Sequence, residues 1–595
     1  MKRVPLRPLA RIISAREKGE DPDLIEAENL RKRNAELSER DRFQAERRLL
    51  LIAGLYLLAF VVVAVRMGVL ASVKPQEPHA ELAGSPLVTQ RADIVDRNGM
   101  ILATNLVTNA LYAQPDRMFD KAAAARQLAS IFPDMNAADL LRKFNSKRKF
   151  IWLRRKLSPE QQQRVHDIGD PGLALAPREM RLYPNGRLAA HVLGGAGFGR
   201  EGVQSAEIVG RAGVEYWFDS QLRDPARQGR PLQLSLDLPV QAATRRVLAG
   251  GMKLMRAKGA AAVLMNVDDG EILALVSLPD FDPNDRPAIN PKGRPEDQPV
   301  FNRAAQGVYE LGSTFKAFTA AAVIDKRIAG PDTVVDTKGP IRKDGFTIKD
   351  SHYMPARMSL TDVVVKSSNV GAANLALELG SDAQKAFLKT LGLLDPSGIE
   401  LPEARKARPL VPGKWTDLAT MTVSYGHGIA VTPVHLAAAY ASLVNGGVRV
   451  RPSLVAREDG TGHRGERVIS PETSATLRRI LRQVVTRGTA TLAEVPGYEV
   501  AGKTGTANKP KPDGTYYKDR VISTFASFFP ASDPKYVLVV TLDEPVESSG
   551  PKPRRTAGWT AVPVAAEIIR RVAPLLGLRP KIDPGAGMNY TLSSY

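Results

Sequence analysis

The chain of 595 residues contains no cysteine. This absence excludes disulfide bonds, cysteine-ligated zinc, iron–sulfur clusters and thiol nucleophiles. Histidine is also sparse, and none of the seven histidines belongs to the HExxH pair of a zinc peptidase. We therefore expect no metal site. Internal repeats are missing as well, which excludes solenoid and propeller folds.

Acidic residues are too few to balance the basic ones, so the formal net charge is +20. Such an excess suits nucleic acid, an anionic membrane surface or an anionic polymer. We expect no basic stripe interleaved with aromatic residues, and a membrane segment removes the chain from nucleic acid. The sequence therefore predicts a basic surface beside a membrane or an anionic polymer, and no nucleic-acid partner.

One long apolar run interrupts the charged N-terminal part of the chain. No charge occurs from Leu49 to Val65, and a helix from Leu49 to Leu70 would be about 33 Å long, close to the thickness of a bilayer core. A buried core helix would show a polar face, which this run lacks. Arg47 and Arg48 precede it, so the N-terminus is expected to stay in the cytoplasm. We predict an uncleaved, single-pass signal anchor with the remainder outside the cytoplasm.

The sequence that follows separates into two parts. In the first, Asn98-Gly99 between apolar runs predicts a tight hairpin, residues 120–172 look helical with breaks at Pro133 and Pro159, and residues 210–215 open a short helix. This part contains no catalytic pattern and is predicted to be structural. In the second, residues 259–266, 270–277, 522–529 and 536–542 are apolar runs typical of the strands of an antiparallel sheet.

Ser313 and Lys316 stand three residues apart at the start of an apolar helical stretch. Residues at this spacing share one helix face. A serine hydroxyl needs a base within hydrogen-bond reach, and a lysine serves when burial and nearby charge lower its pKa. The N-terminus of the helix also offers N–H groups to a developing oxyanion. Alone, the pair is equally compatible with a serine N-cap and a surface lysine.

Two further motifs follow in order. Ser367-Ser368-Asn369 lies between two helical stretches, and Lys503-Thr504-Gly505-Thr506 lies on a predicted strand. A lysine and a threonine beside a glycine at a sheet edge can hold an extended peptide as an added strand. Together, Ser-x-x-Lys, Ser-x-Asn and Lys-Thr-Gly are the signature of penicillin-binding proteins and class A β-lactamases. We predict that the three segments converge on one active site.

From the apolar run to about residue 572 the chain resembles the class B penicillin-binding proteins, and the division-specific (septal) peptidoglycan transpeptidase most closely. Arg91–Gly99, Arg181–Gly194 and Gly210–Glu215 look like the three pedestal motifs of that family. The resemblance implies an α+β fold, with a β-lactamase-like antiparallel β-sheet flanked by helices, preceded by an elongated pedestal domain and an N-terminal transmembrane helix. The implied domains are a cytoplasmic tail (1–48), the transmembrane signal-anchor helix (49–70), a pedestal of dimerisation type (71–230), the transpeptidase domain (231–572) and a loose C-terminal tail (573–595).

The resemblance also implies residue roles. Ser313 would attack the penultimate D-Ala carbonyl of a stem pentapeptide, Lys316 would take its proton, and Ser367 would help to protonate the departing D-Ala. Asn369 would bind the substrate amide, and the Lys503-Thr504-Gly505-Thr506 strand its carboxylate. The N–H groups of Ser313 and Thr506 would form the oxyanion hole. We also expect Arg91 to pair with Glu215 in the pedestal.

By the same resemblance, no cofactor is needed, and β-lactams mimic the substrate and trap Ser313. The implied partners are peptidoglycan precursor strands, a polytopic glycan polymerase and other division proteins, at the septum of the inner membrane. Leu311 stands where the family usually has Pro, and Ala92 where it usually has Gly. Three alternatives stay open: an elongation-specific relative, a β-lactam-binding scaffold, and a hydrolase, although the Glu-x-x-Leu-Asn segment of class A β-lactamases is not found.

Overall fold

The computed structural model describes residues 13–14, 16–21, 23–25, 27–28, 31–32, 51–67, 91–201, 206–457, 465–511 and 513–581. The chain separates into two units, Met1–Leu87 and Val88–Tyr595. In the first unit, residues 51–67 form one helix. Within the described ranges, no helix is long and apolar enough to cross a membrane. The predicted span from Leu49 to Leu70 extends beyond the described residues at both ends, and the first residues of the predicted pedestal, 71–90, lie outside them.

The described strands of the second unit are β1 Ile94–Val95, β2 Ile101–Ala113, β3 Ile151–Arg154, β4 Leu173–Leu182, β5 Gly195–Glu201, β6 Ala206–Ala212, β7 Leu232–Gln233, β8 Gly259–Asn266, β9 Ile272–Leu278, β10 Val334–Asp336, β11 Ile341–Lys343, β12 Phe346–Ile348, β13 Arg357–Ser359, β14 Ala501–Pro510, β15 Tyr516–Phe529 and β16 Tyr536–Asp543.

The described α-helices of this unit are α1 Lys121–Ile131, α2 Ala137–Phe144, α3 Pro159–His166, α4 Ala190–Leu193, α5 Gly213–Trp217, α6 Asp219–Leu222, α7 Leu238–Leu254, α8 Lys316–Asp325, α9 Leu360–Val365, α10 Asn369–Leu379, α11 Ser381–Thr390, α12 Pro402–Lys406, α13 Asp417–Val423, α14 Pro433–Val444, α15 Pro471–Arg487 and α16 Ala561–Leu575.

The larger part of this unit is built on a five-stranded antiparallel sheet in the order β14-β15-β16-β8-β9. Strands β8 and β9 are buried almost throughout, as their nearly continuous apolar sequences predict for strands covered on both faces. Helices α7 and α16 pack together against the sheet, and α14 packs against β8 and β16. Strand β14 lies at one edge. An α+β architecture with an antiparallel sheet flanked by helices is therefore confirmed.

The smaller part, the pedestal, is organised around the long strand β2. Ten residues of β2, Thr104 to Ala113, pair antiparallel with β4, a ribbon of about 33 Å at 3.3 Å per residue. At one end of the ribbon, α1, α2, α3 and β3 enclose a separate apolar core; we call residues 114–172 the head. At the other end, β1 pairs with both β2 and β7, and its first residue, Ile94, belongs to the main apolar core.

Local predictions in the pedestal were partly wrong. The hairpin at Asn98-Gly99 is confirmed, with Gly99 at φ +81°. Pro159, however, is the first residue of α3 behind the capping Ser158 rather than a helix break, because proline is favoured at the first helical position. The segment predicted to be helical also contains strand β3.

At the C-terminal end of the catalytic domain, α16 continues to Leu575, beyond the predicted boundary at residue 572.

The C-terminal residues were also predicted to be loose from residue 573. The described part is instead packed: the backbone N–H of Lys581 donates to the Gly497 carbonyl at 2.9 Å, and its Nζ donates to Ser532 Oγ at 2.8 Å. Residues 582–595 lie outside the described residues. The packed part of the chain therefore extends at least to Lys581, beyond the predicted boundary at residue 572.

A buried ion network joins the start of the pedestal to its third motif. Arg91 Nε donates to Glu215 Oε2 at 2.6 Å and Nη1 to Asp219 Oδ1 at 2.6 Å. Arg181 Nε donates to Glu215 Oε1 at 2.7 Å. The Arg91 and Glu215 side chains are 1% and 0% exposed. The predicted Arg91–Glu215 pair is confirmed, and it fastens the first described residue of the pedestal to α5.

Replacing Arg91 with alanine is expected to lower the free energy of unfolding of the pedestal by about 3–5 kcal/mol, because it leaves part of a buried carboxylate unpaired. Thermal unfolding should show the loss, while the β-lactam acylation rate stays unchanged because the network lies outside the large sheet. Arg126→Ala, at an exposed position on α1, is the control and should change stability by less than about 0.5 kcal/mol. Equal stability of the two variants would contradict this role of Arg91.

Candidate active site

Ser313 lies in a tight turn that runs directly into a buried helix. The 3-10 turn Gly312–Phe315 continues as α8, and Thr314 and Phe315 are buried beneath it. Tyr440 OH donates to the Thr314 carbonyl at 2.7 Å, and Thr314 Oγ1 donates to the Leu311 carbonyl at 3.0 Å. These two hydrogen bonds fix the backbone of the turn through its buried residue Thr314, while Ser313 stays half-buried.

Lys316 occupies the centre of the site, although its side chain is 1% exposed. Its Nζ lies 2.9 Å from Ser313 Oγ, 3.0 Å from Ser367 Oγ, 2.6 Å from the Ser367 carbonyl and 2.8 Å from Asn369 Oδ1. Burial lowers the pKa of Lys316 well below its ordinary value, and the charge of Lys503 lowers it further, against an opposing effect of Asp350. A neutral amine held against a serine hydroxyl can act as a general base.

The segment that carries Ser367 is held in an unusual backbone conformation. Ser367 has φ +68°, a left-handed geometry that is uncommon outside glycine and that persists only where the surroundings enforce it. Ser368, the next residue, caps α10 by accepting from the Gly371 N–H at 3.0 Å. This geometry directs both Ser367 Oγ and its carbonyl to Lys316.

Asp350, which the sequence reasoning missed, fixes the same segment from the other side. Its carboxylate accepts from Ser368 Oγ at 2.9 Å and from the backbone N–H groups of Asn369 and Val370. A carboxylate at a helix N-terminus is favoured by the helix dipole. Asp350 lies 17 residues before Ser367 with no motif of its own, so no local signal in the sequence marks it.

Lys503 reaches the site from the edge strand β14. It is fully buried, and its Nζ donates to Ser367 Oγ at 3.0 Å and to the Thr504 carbonyl at 3.2 Å. Burial lowers its pKa to about 7. The two lysines therefore meet at one hydroxyl, Ser367 Oγ, and burial lowers the pKa of both amines.

Strand β14 approaches the serine turn closely enough to require glycine. A Cβ on Gly505 would lie 2.1 Å from the Leu311 carbonyl oxygen, and one on Gly312 would lie 2.8 Å from the Thr506 carbonyl oxygen. Thr504 Oγ1 lies 2.6 Å from Thr489 Oγ1. The backbone of Thr506 is thus brought beside the turn that carries Ser313.

The structure therefore brings all three predicted segments together. One hydrogen-bond network joins five of the predicted site residues: Ser313, Lys316, Ser367, Asn369 and Lys503. Thr504, Gly505 and Thr506 lie on the adjoining edge strand. Such an arrangement can transfer an acyl group through the serine and can receive an extended peptide along the strand.

A second group that the sequence reasoning missed flanks the serine turn. Glu310 accepts from the Gly428 N–H at 2.8 Å and from Tyr516 OH at 3.0 Å. The His427 ring lies between Tyr425 and Tyr516, with centroid distances of 6.3 and 4.7 Å. Burial, followed by the charge of Glu310, raises the pKa of Tyr425 to about 12, so this hydroxyl stays protonated.

Among the described residues, no group of three or more His, Asp or Glu could hold a metal ion.

The fold and the side-chain arrangement define a serine acyl-transferase of the penicillin-binding class. The chain belongs to the class B penicillin-binding proteins: residues 260–570 match the penicillin-binding protein transpeptidase domain, and residues 86–228 match the penicillin-binding protein dimerisation domain.

Individual relatives carry names of the same class. The chain is 36% identical over 504 residues to a probable peptidoglycan D,D-transpeptidase FtsI of Caulobacter vibrioides, covering 83% of this chain and 82% of that protein. It is 29% identical over 562 residues to the peptidoglycan D,D-transpeptidase FtsI of Escherichia coli, covering 90% and 92%. Crystal structures of penicillin-binding protein 3 from Mycobacterium tuberculosis with aztreonam or ampicillin superpose with a TM-score of 0.62 at 27% identity, covering 83% of this chain and 97% of that chain.

Proposed function

We propose that this chain is a peptidoglycan D,D-transpeptidase that cross-links stem peptides during septal wall synthesis, through an acyl-enzyme on Ser313. One observation carries the assignment of the nucleophile: a buried lysine amine with a strongly lowered pKa lies 2.9 Å from Ser313 Oγ. The FtsI-type relatives support the septal assignment over an elongation-specific one.

In the first half-reaction, Ser313 Oγ attacks the carbonyl carbon of the penultimate D-Ala while Lys316 Nζ takes the hydroxyl proton. The resulting oxyanion is stabilised by the backbone N–H groups of Ser313 and Thr506, which lie on adjoining segments. The bond to the terminal D-Ala nitrogen then breaks. That nitrogen receives a proton through Ser367 Oγ, which lies within 3.0 Å of both lysine amines, and D-Ala leaves.

In the second half-reaction, the amine of a neighbouring stem peptide attacks the ester carbonyl. Lys316 accepts the proton that the amine loses, Ser313 Oγ regains a proton, and an amide cross-link forms. Asn369 holds the amide of the donor peptide, and before acylation Lys503 with Thr504 binds the carboxylate of its terminal D-Ala. β-Lactams enter the same cleft and leave Ser313 acylated, with no cofactor required.

The domain boundaries belong to the same proposal. Residues 1–48 form the cytoplasmic tail, 49–70 anchor the chain in the inner membrane by a single pass, 71–230 form the pedestal, and 231–572 form the periplasmic catalytic domain. A membrane-bound glycan polymerase and other division proteins are the proposed partners. The proposed substrate, a lipid-linked precursor strand, is made at the same membrane, which is why an anchored enzyme suits it.

Mass spectrometry of the β-lactam adduct tests the assignment. Trypsin should place the added mass on residues 304–316, the peptide that contains Ser313. An adduct on any other peptide would refute the nucleophile. A persistent adduct separates a transpeptidase from a β-lactamase, which would release it within seconds. Midcell location of a tagged protein separates the septal enzyme from an elongation-specific one, and loss of septa with an acylation-dead allele separates an enzyme from a scaffold.

Lys503 and Asp350 are expected to shift the pH dependence of acylation in opposite directions. Lysine acts as a base only when neutral, so the acylation rate rises as the pH passes the pKa of Lys316. Lys503 lowers that pKa and Asp350 raises it. Lys503→Met should therefore move the rising limb to higher pH, and Asp350→Asn should move it to lower pH.

Both substitutions should also slow acylation near neutral pH. Loss of the charged hydrogen bond from Lys503 to substrate should weaken β-lactam capture about 10- to 150-fold, corresponding to about 1.5–3 kcal/mol. Loss of the Asp350 charge should misplace Ser367 and Asn369 and cost about 10- to 100-fold. Stopped-flow acylation from pH 5 to 10 measures both effects, with the exposed Lys518→Met as control. Limbs that shift in the same direction, or not at all, would remove the proposed coupling.

A further inference from the structure

The pedestal head carries a basic segment that the catalytic site does not use. Between residues 142 and 156 the sequence has eight lysines and arginines, no acid, and the aromatic residues Phe144, Phe150 and Trp152. The expectation that no basic stripe with interleaved aromatics occurs is therefore wrong. The segment spans the end of α2, a turn and the whole of β3.

The turn is where uncompensated charge is concentrated. Lys147, Arg148 and Lys149 are all exposed, and no carboxylate of the described residues lies within ion-pair distance of any of them. Elsewhere in the segment, Arg142 pairs with Asp139 and Arg154 with Asp134. We call Lys147, Arg148 and Lys149 the basic turn. Three neighbouring cations without counter-charge create a local positive potential that attracts anions.

Aromatic rings adjoin the basic turn along β3. Phe150 stacks on Tyr112 with centroids 4.9 Å apart, and it meets Trp152 edge to face, also at 4.9 Å. All three rings are half-buried, so each leaves part of its surface to solvent. Arg178 covers one side of Trp152, with Cζ 4.1 Å from the ring centroid. Cations and partly exposed rings thus occur together at this end of the head.

We propose that the basic turn binds the stem-peptide carboxylates of uncross-linked peptidoglycan strands, with the sugar rings against the neighbouring aromatic side chains. The inference rests on the proposed function, because it takes the enzyme's own polymer as the ligand. Each uncross-linked stem ends in a carboxylate, so a strand is a polyanion matched to three unpaired cations. The partly exposed rings can cover the apolar C–H faces of sugars.

The same features favour a glycan strand over a lipid surface. Membrane-surface sites combine cations with protruding apolar side chains. Here Phe144 is buried, Phe150 and Trp152 are half-buried, and the turn itself contains only polar residues. An acidic protein segment would use the charge but has no need of the rings.

The position of the basic turn indicates how strand binding there would assist catalysis. The β2–β4 ribbon places the head about 33 Å from the junction with the large sheet. A strand held at the head is tethered to the enzyme without occupying the cleft. Tethering raises the effective concentration of its stems at Ser313, without any new contact in the active site.

Binding of full-length protein in detergent to soluble, fluorescent, uncross-linked glycan strands tests the proposal. Ser313 is first acylated with a β-lactam, so that strands cannot bind in the cleft. The triple variant K147E/R148E/K149E should bind at least about 10-fold more weakly at low salt, with a shallower dependence on salt. The control K253E/K326E/K389E reverses three exposed charges in the catalytic domain and should bind like the wild type. An amidase removes the stems but leaves one lactyl carboxylate on each disaccharide, so stripped strands should bind the wild type more weakly than intact strands do.

Three outcomes would overturn the inference. The first is an unchanged affinity of the triple variant for intact strands, and the second is equal affinity of the wild type for stripped and intact strands. The third is that the triple variant binds intact strands as the wild type does but binds anionic phospholipid vesicles more weakly, which would make the basic turn a membrane contact. The β-lactam acylation rate of the triple variant should equal that of the wild type. Failure of acylation on Ser313 in every variant would instead count against the proposed function, so the two ideas fail separately.

Discussion

Ser313→Ala is expected to abolish covalent labelling by β-lactams altogether. Among the described residues, Ser313 Oγ and Ser367 Oγ lie 2.9 and 3.0 Å from the Lys316 amine, and Ser313 is the one on the turn that adjoins the backbone of Thr506. The fold should survive, because Lys316 Nζ keeps the Ser367 carbonyl at 2.6 Å and Asn369 Oδ1 at 2.8 Å. The loss should therefore be one of chemistry and not of structure.

Intact-protein mass spectrometry after incubation with penicillin measures this loss directly. Ser351→Ala is the matched control, because Ser351 is an exposed serine directly after Asp350 and should keep full labelling. Non-covalent protection of Ser313→Ala against heat by a high concentration of β-lactam would show that the cleft is still formed. A labelled Ser313→Ala protein would end the assignment.

The core of the catalytic domain was predictable because burial leaves a strong mark on sequence. Residues 259–266 and 536–542 are apolar except for Asn266 and Thr541, and they form β8 and β16 nearly as predicted. A strand covered on both faces favours apolar residues at nearly every position. The three catalytic motifs were equally visible, because each needs fixed residue types at fixed spacing.

Strand β3, which was not predicted, has no comparable local pattern in its sequence. Strand β3 has the sequence IWLR and lies within a run of lysines and arginines. Its assignment depends on pairing with β2, which is nearly forty residues earlier in the chain. Neighbouring strands of distant sequence override local preference in this way.

Asp350 was missed for a related reason. A carboxylate that caps a helix usually stands directly before it, where the sequence shows it. Asp350 instead reaches the N-terminus of α10 from a loop 19 residues before Asn369. Glu310 similarly bonds Tyr516, which lies 206 residues away. Contacts that depend on the folded chain path leave no periodicity or spacing to detect.

Lys316→Ala is expected to slow β-lactam acylation by about 10²- to 10⁴-fold at neutral pH, the range over which general bases contribute. The serine is still present, but no base remains on the helix to take its proton. Because the lowered pKa of Lys316 sets the rising limb of the pH profile, the residual rate of the variant should follow hydroxide concentration instead. A profile that keeps the wild-type limb would assign the base elsewhere.

Removal of Lys316 also leaves the Ser367 carbonyl and Asn369 Oδ1 without a donor, so a structural effect must be separated from the chemical one. Small primary amines provide that separation, because an added amine can occupy the vacated space and restore the proton transfer. The rate of Lys316→Ala should rise with the concentration of the neutral form of methylamine. Lys326→Ala, at the exposed C-terminal end of the same helix, should acylate at the wild-type rate and gain nothing from the amine. Acylation of Lys316→Ala at the full rate without amine would leave Ser313 with a different activator.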